Sequence, residues 1–173
     1  TLGGGDVTLA TRTALRVLAD LRHPELEVRV LLGPAAAQSN GLVQEAARLP
    51  MQVQVMTVSS EIPELMAWAD LAISAGGSTA WEMAFMGLPN CILWRAESQA
   101  RVARALQAQG AALALGPCEN ANVAAVACAL NQVIVDTAQR RVLAHRSRQL
   151  VDGQGAARVL DALQASGKGA HGR

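Results

Sequence analysis

Residues 69–89 read Ala69-Asp70-Leu71-Ala72-Ile73-Ser74-Ala75-Gly76-Gly77-Ser78-Thr79-Ala80-Trp81-Glu82-Met83-Ala84-Phe85-Met86-Gly87-Leu88-Pro89. Asp70 to Ser74 is a short apolar run, too short for a helix and closed by Ala75-Gly76-Gly77, so it reads as a buried strand. Thr79 to Met86 has helix-forming composition, and Gly87-Leu88-Pro89 supplies a stop signal. The stretch is therefore a strand, a glycine turn and a short helix.

The same alternation extends in both directions. Leu26 to Leu32, Gln52 to Thr57, Asn90 to Trp94 and Ala112 to Leu115 read as further strands. Thr8 to Leu21, Ala35 to Leu49, Glu61 to Ala69 and Glu97 to Gln109 read as helices between them. After Pro117 the pattern is helical only: Ala121 to Val135, Ala138 to Leu150 and Gly155 to Leu163. Strands alternating with helices predict β-α-β units, a parallel sheet and right-handed crossovers that place helices on both faces. The expected fold is Rossmann-like α/β, a three-layer α/β/α parallel sheet with extra C-terminal helices. One domain over residues 1–165 and a flexible Gly-rich tail over 166–173 complete the expected organisation.

Composition narrows the function. The chain has 173 residues, a net charge of +1, 17% charged residues and 2% aromatics with no tyrosine, which excludes a strongly basic or aromatic-lined nucleic-acid surface. Of the 15 basic residues, 14 are arginine. Those at Arg140, Arg141, Arg146 and Arg148 read as a solvated helix face near a domain seam. Cys91, Cys118 and Cys128 fit no zinc spacing or disulfide framework and read as buried free thiols, which suits a cytoplasmic setting. His23, His145 and His171 have no acidic neighbour at ligand spacing, so neither a metal nor another cofactor is expected. No apolar run reaches membrane-spanning length, and the start has no signal-peptide pattern. The glycine run directly after Thr1-Leu2 reads as the exit of a strand that lies upstream, so the sequence looks like the C-terminal part of a longer protein.

Ligands of parallel α/β sheets bind beyond the carboxyl ends of the strands. Gly76 and Gly77 let the backbone come close to a ligand there. The amides of Gly77, Ser78 and Thr79, at a helix start, form an anion site for which a diphosphate is the natural guest. The structural alternative is a capping box, with Thr79 as N-cap and Glu82 reaching back to it. A second cluster, Gly3-Gly4-Gly5-Asp6, also precedes a helix. Two bare-glycine helix starts at one sheet edge would face a shared crevice. Trp68, Trp81 and Trp94 flank the first loop and read as packing residues.

The segment Asp70 to Pro89 resembles the nucleotide-binding signature in the C-terminal domain of GT-B glycosyltransferases. Within that superfamily the resemblance is closest to the UDP-sugar hydrolases of pseudaminic acid biosynthesis. Leu2-Gly3-Gly4-Gly5-Asp6, Glu97-Ser98-Gln99 through Gly116, and Asp152-Gly153-Gln154-Gly155-Ala156-Ala157-Arg158-Val159 carry it along nearly the whole chain. The glycine motifs are shared with the transferase that makes lipid II. The resemblance implies that Gly4 and Gly5 leave room for the sugar diphosphate, and that Gly76, Gly77, Ser78 and Thr79 hold phosphates. It implies that Glu82 accepts from the ribose hydroxyls, and that Ser98 and Gln99 lie by the sugar. Ser98 stands where this family often has Asn. The loop Thr57 to Ile62 is expected to read uracil. The implied activity is release of UDP from a UDP-linked diacetamido-trideoxy sugar. A UDP-sugar-dependent transferase and a non-catalytic nucleotide-binding or interaction domain are the alternatives. The base for hydrolysis is expected on a missing N-terminal domain, leaving this chain a UDP or UDP-sugar binder that is inactive alone.

Overall fold

The computed structural model describes residue 2 and residues 8–33, 40–57 and 61–168. Strands and helices alternate as α1 (Thr8–Asp20), β1 (Glu27–Leu32), α2 (Asn40–Ala46), β2 (Gln52–Thr57), α3 (Ile62–Trp68), β3 (Ala72–Ser74), α4 (Thr79–Met86), β4 (Asn90–Trp94), α5 (Glu97–Ala108) and β5 (Leu113–Pro117). Three helices follow: α6 (Val123–Val135), α7 (Thr137–Leu150) and α8 (Gly155–Lys168). All described strand pairings are parallel, β1 with β2 and then β3 with β4 with β5.

β4 shows why the domain has three layers. Its residues are buried from Asn90 to Leu93, as expected of a strand covered on both faces. Side chains alternate along a strand, so Cys91 and Leu93 face one way and Ile92 the other. Cys91 and Leu93 join a core with Leu15, Val17 and Leu18 of α1 and Leu130 and Val133 of α6. Ile92 instead packs with Ala80 of α4 and Ala103 and Leu106 of α5. Small alanines at these contacts let the helices lie close to the sheet. Each fully buried Ile or Leu contributes about 1.5–3 kcal/mol.

Side chains finish the helix ends. Asn122 caps α6 by accepting from the Ala125 amide at 3.1 Å. Asp136 ends α6 and caps α7, accepting from the Gln139 amide at 2.9 Å, so α7 starts at Thr137, one residue earlier than expected. α4 closes with the Gly87 amide on the Ala84 carbonyl at 3.1 Å and the Leu88 amide on the Met83 carbonyl at 2.9 Å. That is a Schellman turn, and Gly87 has φ +68°. Arg148 Nη2 of α7 donates to the Met86 carbonyl at 3.1 Å, and Arg140 donates to the carbonyls of Val133 and Ile134. These two arginines are helix-end donors, which corrects the reading of the cluster as a merely solvated face.

Three other expectations change. Cys91 and Cys118 are buried, but Cys128 is exposed, because it falls on the outer side of α6 between Val126-Ala127 and Leu130. Burial pushes the Cys91 thiol up to about 12 and raises Cys118 as well. Trp68 and Trp81 are half-exposed rather than packed between layers, while Trp94 joins the α5 side of the core. The last helix runs past Leu163 to Lys168, with Ser166 Oγ donating to the Ala162 carbonyl at 2.9 Å. Residues 166–168 are thus helical, not part of a free tail.

His23 fastens the turn after α1 to α6. Its Nδ1 lies 2.6 Å from Glu25 Oε1 and its Nε2 2.6 Å from Asn131 Oδ1. Two acceptors favour the doubly protonated ring, so its pKa is raised above 6.5, chiefly by Asn131 and next by Glu25. A raised folded-state pKa adds stability that is fully present below 6.5 and is lost as pH rises through the folded value. His23→Gln is expected to flatten melting temperature against pH across that window. Parallel profiles for the two proteins would contradict this role.

Candidate functional site

Ser74 ends β3, and its buried hydroxyl accepts from the Gly76 amide at 3.4 Å, turning the chain sharply out of the sheet. Gly76 has φ +75°. A methyl group on it would stand 3.0 Å from the Gln99 carbonyl oxygen and 3.0 Å from Ile92 Cγ2. Gly76 is therefore demanded by the fold itself: the backbone is left-handed, and a neighbouring helix start closes over it. Gly77 is different, because a methyl group there would meet nothing within 4 Å among the described residues. Open space at a bare glycine has no packing explanation.

The helix after this turn starts without a side-chain cap. Ser78 is the N-cap residue and is already in the right-handed helical conformation, and it makes no side-chain cap bond. The Ala80 amide bonds the Gly77 carbonyl at 3.1 Å and the Trp81 amide bonds the Ser78 carbonyl at 3.0 Å. Among the described residues, no protein group accepts from the amides of Gly77, Ser78 or Thr79. The capping-box alternative is not formed. The helix starts one residue too early for it, which places Glu82 a position beyond where its side chain reaches the cap amide. Glu82 is exposed and makes no bond among the described residues.

A second helix start lies alongside. Register pairs Ser74 with Ile92, so the exits of β3 and β4 sit side by side at one end of the sheet. α5 begins just after β4. Gln99 Oε1 accepts from the amides of Arg95 at 2.9 Å and Ala96 at 3.3 Å, which pins the β4–α5 turn. Its oxygen is committed to the backbone, leaving the side-chain NH2 as its group for a ligand. Ser98 is exposed on the first turn of α5. The contact of Gly76 with Gln99 ties the two turns together. Gly76, Gly77, Ser78, Thr79, Glu82, Ser98 and Gln99 thus gather around two adjacent helix N-termini, whose dipoles and free N–H groups attract an anion.

Two expected contributors cannot be added. Gly4 and Gly5 lie outside the described residues, as do 58–60 of the expected uracil loop; Thr57, at the end of β2, and Glu61, just before α3, flank that gap. Sequence reading passed over Arg95, an exposed cation in the turn between β4 and α5. Its signal was position, directly after a buried strand, but it was hidden among 14 arginines. Among the described residues, no group of three or more His, Cys, Asp or Glu side chains converges as metal ligands.

The fold and this strand-end site define a Rossmann-like α/β domain of the GT-B C-terminal type. Residues 7–116 match the glycosyltransferase family 28 C-terminal domain, and the chain belongs to that family. It is similar to the spore coat polysaccharide biosynthesis protein SpsG of Bacillus subtilis (strain 168), with 30% identity over 134 residues, 78% of this chain and 39% of that protein. Among solved structures it is similar to Acinetobacter baumannii MurG, with TM-score 0.76, 19% identity and coverage of 94% of this chain and 47% of that one. The spinosyn rhamnosyltransferase SpnG aligns with TM-score 0.65 and 23% identity over 93% of this chain and 43% of its own. The chain spans less than half the length of each of these proteins.

Proposed function

We propose that this chain is the nucleotide-sugar-binding half of a two-domain enzyme of surface-polysaccharide synthesis, and that its donor is a UDP-sugar. The observation that carries this is the gap between what the fold needs and what the β3–α4 turn contains: among the described residues, Gly77 has open space beside it, and three amides at a helix start have no protein acceptor. The diphosphate lies against Gly77, Ser78 and Thr79, and Glu82 clasps the ribose diol, a task suited to an acceptor-only carboxylate. Ser98 and the Gln99 amide face the sugar. Gly4 and Gly5, with the loop from Thr57 to Ile62, complete the pocket around phosphate and uracil. The name of SpsG supports the polysaccharide setting. No helix among the described residues is long and apolar enough to cross a membrane, and we place the enzyme in the cytoplasm.

For the reaction we propose hydrolysis of a UDP-linked diacetamido-trideoxy sugar. Water attacks the anomeric carbon, the bond from that carbon to the diphosphate oxygen breaks, and a base takes the water's proton. The charge gathering on departing UDP is met by fixed amide dipoles in this domain. The base comes from the other domain. Here His23 is engaged by Glu25 and Asn131, and His145 Nε2 lies 3.0 Å from Gln149 Nε2 on α7. Transfer to an acceptor remains the second reading, since the family match is to glycosyltransferases.

Calorimetric titration of the chain with UDP, GDP and TDP tests the nucleotide assignment. UDP is expected to bind at least about tenfold tighter, a difference of about 1.4 kcal/mol. Equal affinities would overturn it. For the reaction, the full-length enzyme is given UDP-sugar in water without acceptor. Free sugar supports hydrolysis, and intact donor favours transfer.

A further inference from the structure

The charges of the chain are unevenly spread. Its net charge is only +1, yet residues 121–150 carry Arg140, Arg141, Arg146 and Arg148 against a single acid, Asp136. The remainder of the chain is therefore net negative. Residues 121–150 build α6 and α7, and Asp136 is occupied as the cap between them.

Arginines elsewhere find carboxylates. Arg12 pairs with Glu45, Arg29 with Glu27, Arg104 with Glu97 and Arg158 with Asp152. α7 itself contains no acid. Arg140 and Arg148 donate to backbone carbonyls at the ends of α6 and α4. Arg141 and Arg146 are exposed and form no ion pair among the described residues. A solvated helix gains from acid–base pairs four residues apart. α7 instead sets Arg141 four residues from His145, and Val142 four residues from Arg146.

The free cations share one side of the helix. At 3.6 residues per turn, Arg141, Val142, His145, Arg146 and Gln149 fall within an arc of about 140°. They border one shallow depression, which α7 lines alone. Leu143 and Ser147 lie on the opposite side and are buried. Val142, inside the arginine arc, is 56% exposed. This face is remote from the strand-end site. Arg148 reaches the C-terminal end of α4 at Met86, and a methyl group on Gly110, just past the end of α5, would stand 3.8 Å from Arg146 Cγ. α7 thus lies against the ends of α4 and α5 opposite to those that present Gly77, Ser78, Thr79 and Ser98.

We propose that the outer face of α7 docks on an anionic lipid surface. Arg141 and Arg146 meet lipid phosphates, their stems lie along the acyl boundary, and Val142 enters it. The unpaired cations set the sign of the partner. An exposed valine among them, on a helix face with no second wall to hold a peptide, favours lipid over an acidic protein. α7 lies on the surface rather than across it, and the nucleotide end points away from the lipid. This does not rest on the UDP reading; UDP binding and lipid docking can fail separately.

Co-sedimentation with vesicles tests it. The 173-residue chain is expected to be retained by vesicles of equal parts phosphatidylglycerol and phosphatidylcholine, to pass pure phosphatidylcholine, and to be released by salt. Each arginine near an anionic surface strengthens partition about fivefold, so Arg141→Gln combined with Arg146→Gln is expected to weaken it at least about tenfold. Arg16→Gln combined with Arg101→Gln removes the same charge from exposed positions of α1 and α5 and is expected to change it little. No retention by the anionic vesicles, or equal losses in the two double variants, would overturn the proposal. Retention on immobilised polyglutamate without retention by vesicles would overturn it in favour of an acidic protein.

Discussion

Gly76→Val is expected to cost about 2–4 kcal/mol of stability, from the strained backbone together with forced overlap in packed surroundings. The residue sits at φ +75°, which a β-branched side chain does not tolerate, and its Cβ would stand 3.0 Å from both the Gln99 carbonyl oxygen and Ile92 Cγ2. The first of these is backbone and the second is a fully buried core side chain, so neither yields cheaply. Urea denaturation measures the loss, and the melting temperature is expected to fall by roughly 5–15 °C. The β3–α4 and β4–α5 turns are forced apart, so UDP binding is lost with it. Gly77→Ala gives the contrast: nothing among the described residues lies within 4 Å of its Cβ position, so stability is expected to hold while UDP affinity drops. Equal stability losses at the two glycines would mean that both merely shape the turn.

Glu82→Ala is expected to weaken UDP about 10- to 100-fold, the equivalent of one or two hydrogen bonds to a charged group. The melting temperature should not move, because Glu82 is exposed and caps nothing. The comparison of UDP with 2′,3′-dideoxy-UDP sharpens the reading. Against the variant, the two nucleotides should bind alike; against the parent chain, the dideoxy form should be weaker. A variant that loses stability but keeps its UDP affinity would return Glu82 to a structural role.

The elements most legible in the sequence were those with strong local punctuation. Gln52–Thr57 alternates cleanly, and Asn90–Trp94 follows Gly-Leu-Pro; both strands occupy the expected residues. β3 is shorter than Asp70 to Ser74, because pairing starts only where Ala72 meets Asn90 and the Ala72 amide bonds the Pro89 carbonyl at 2.8 Å. The described part of α2 ends at Ala46 rather than Leu49, and Ala47 to Leu49 form tight turns before Pro50.

The helix at the site spans Thr79–Met86 as expected, but the capping-box alternative with Thr79 as N-cap is off by one residue. Thr79-x-x-Glu82 has the letters of a capping box, yet Ser78 already holds helical dihedrals. Local sequence does not reveal where the first helical turn begins when several small polar residues compete for the cap. Contacts distant in sequence had no local signal at all. Gly76 against Gln99 and Arg148 on the end of α4 arise from the parallel register and from α7 folding back. The strand, glycine turn and helix over residues 72–86 were therefore legible, whereas the difference between Gly76, which the fold requires, and Gly77, which it does not, emerged only from the packing.

Backbone amide NMR of the chain during titration with UDP, set against titration with uridine, tests the central assignment most directly. The account predicts that UDP moves the Gly77, Ser78 and Thr79 amide resonances strongly, and that uridine, lacking phosphates, leaves them nearly in place. UDP binding that leaves those three amides unmoved would contradict it.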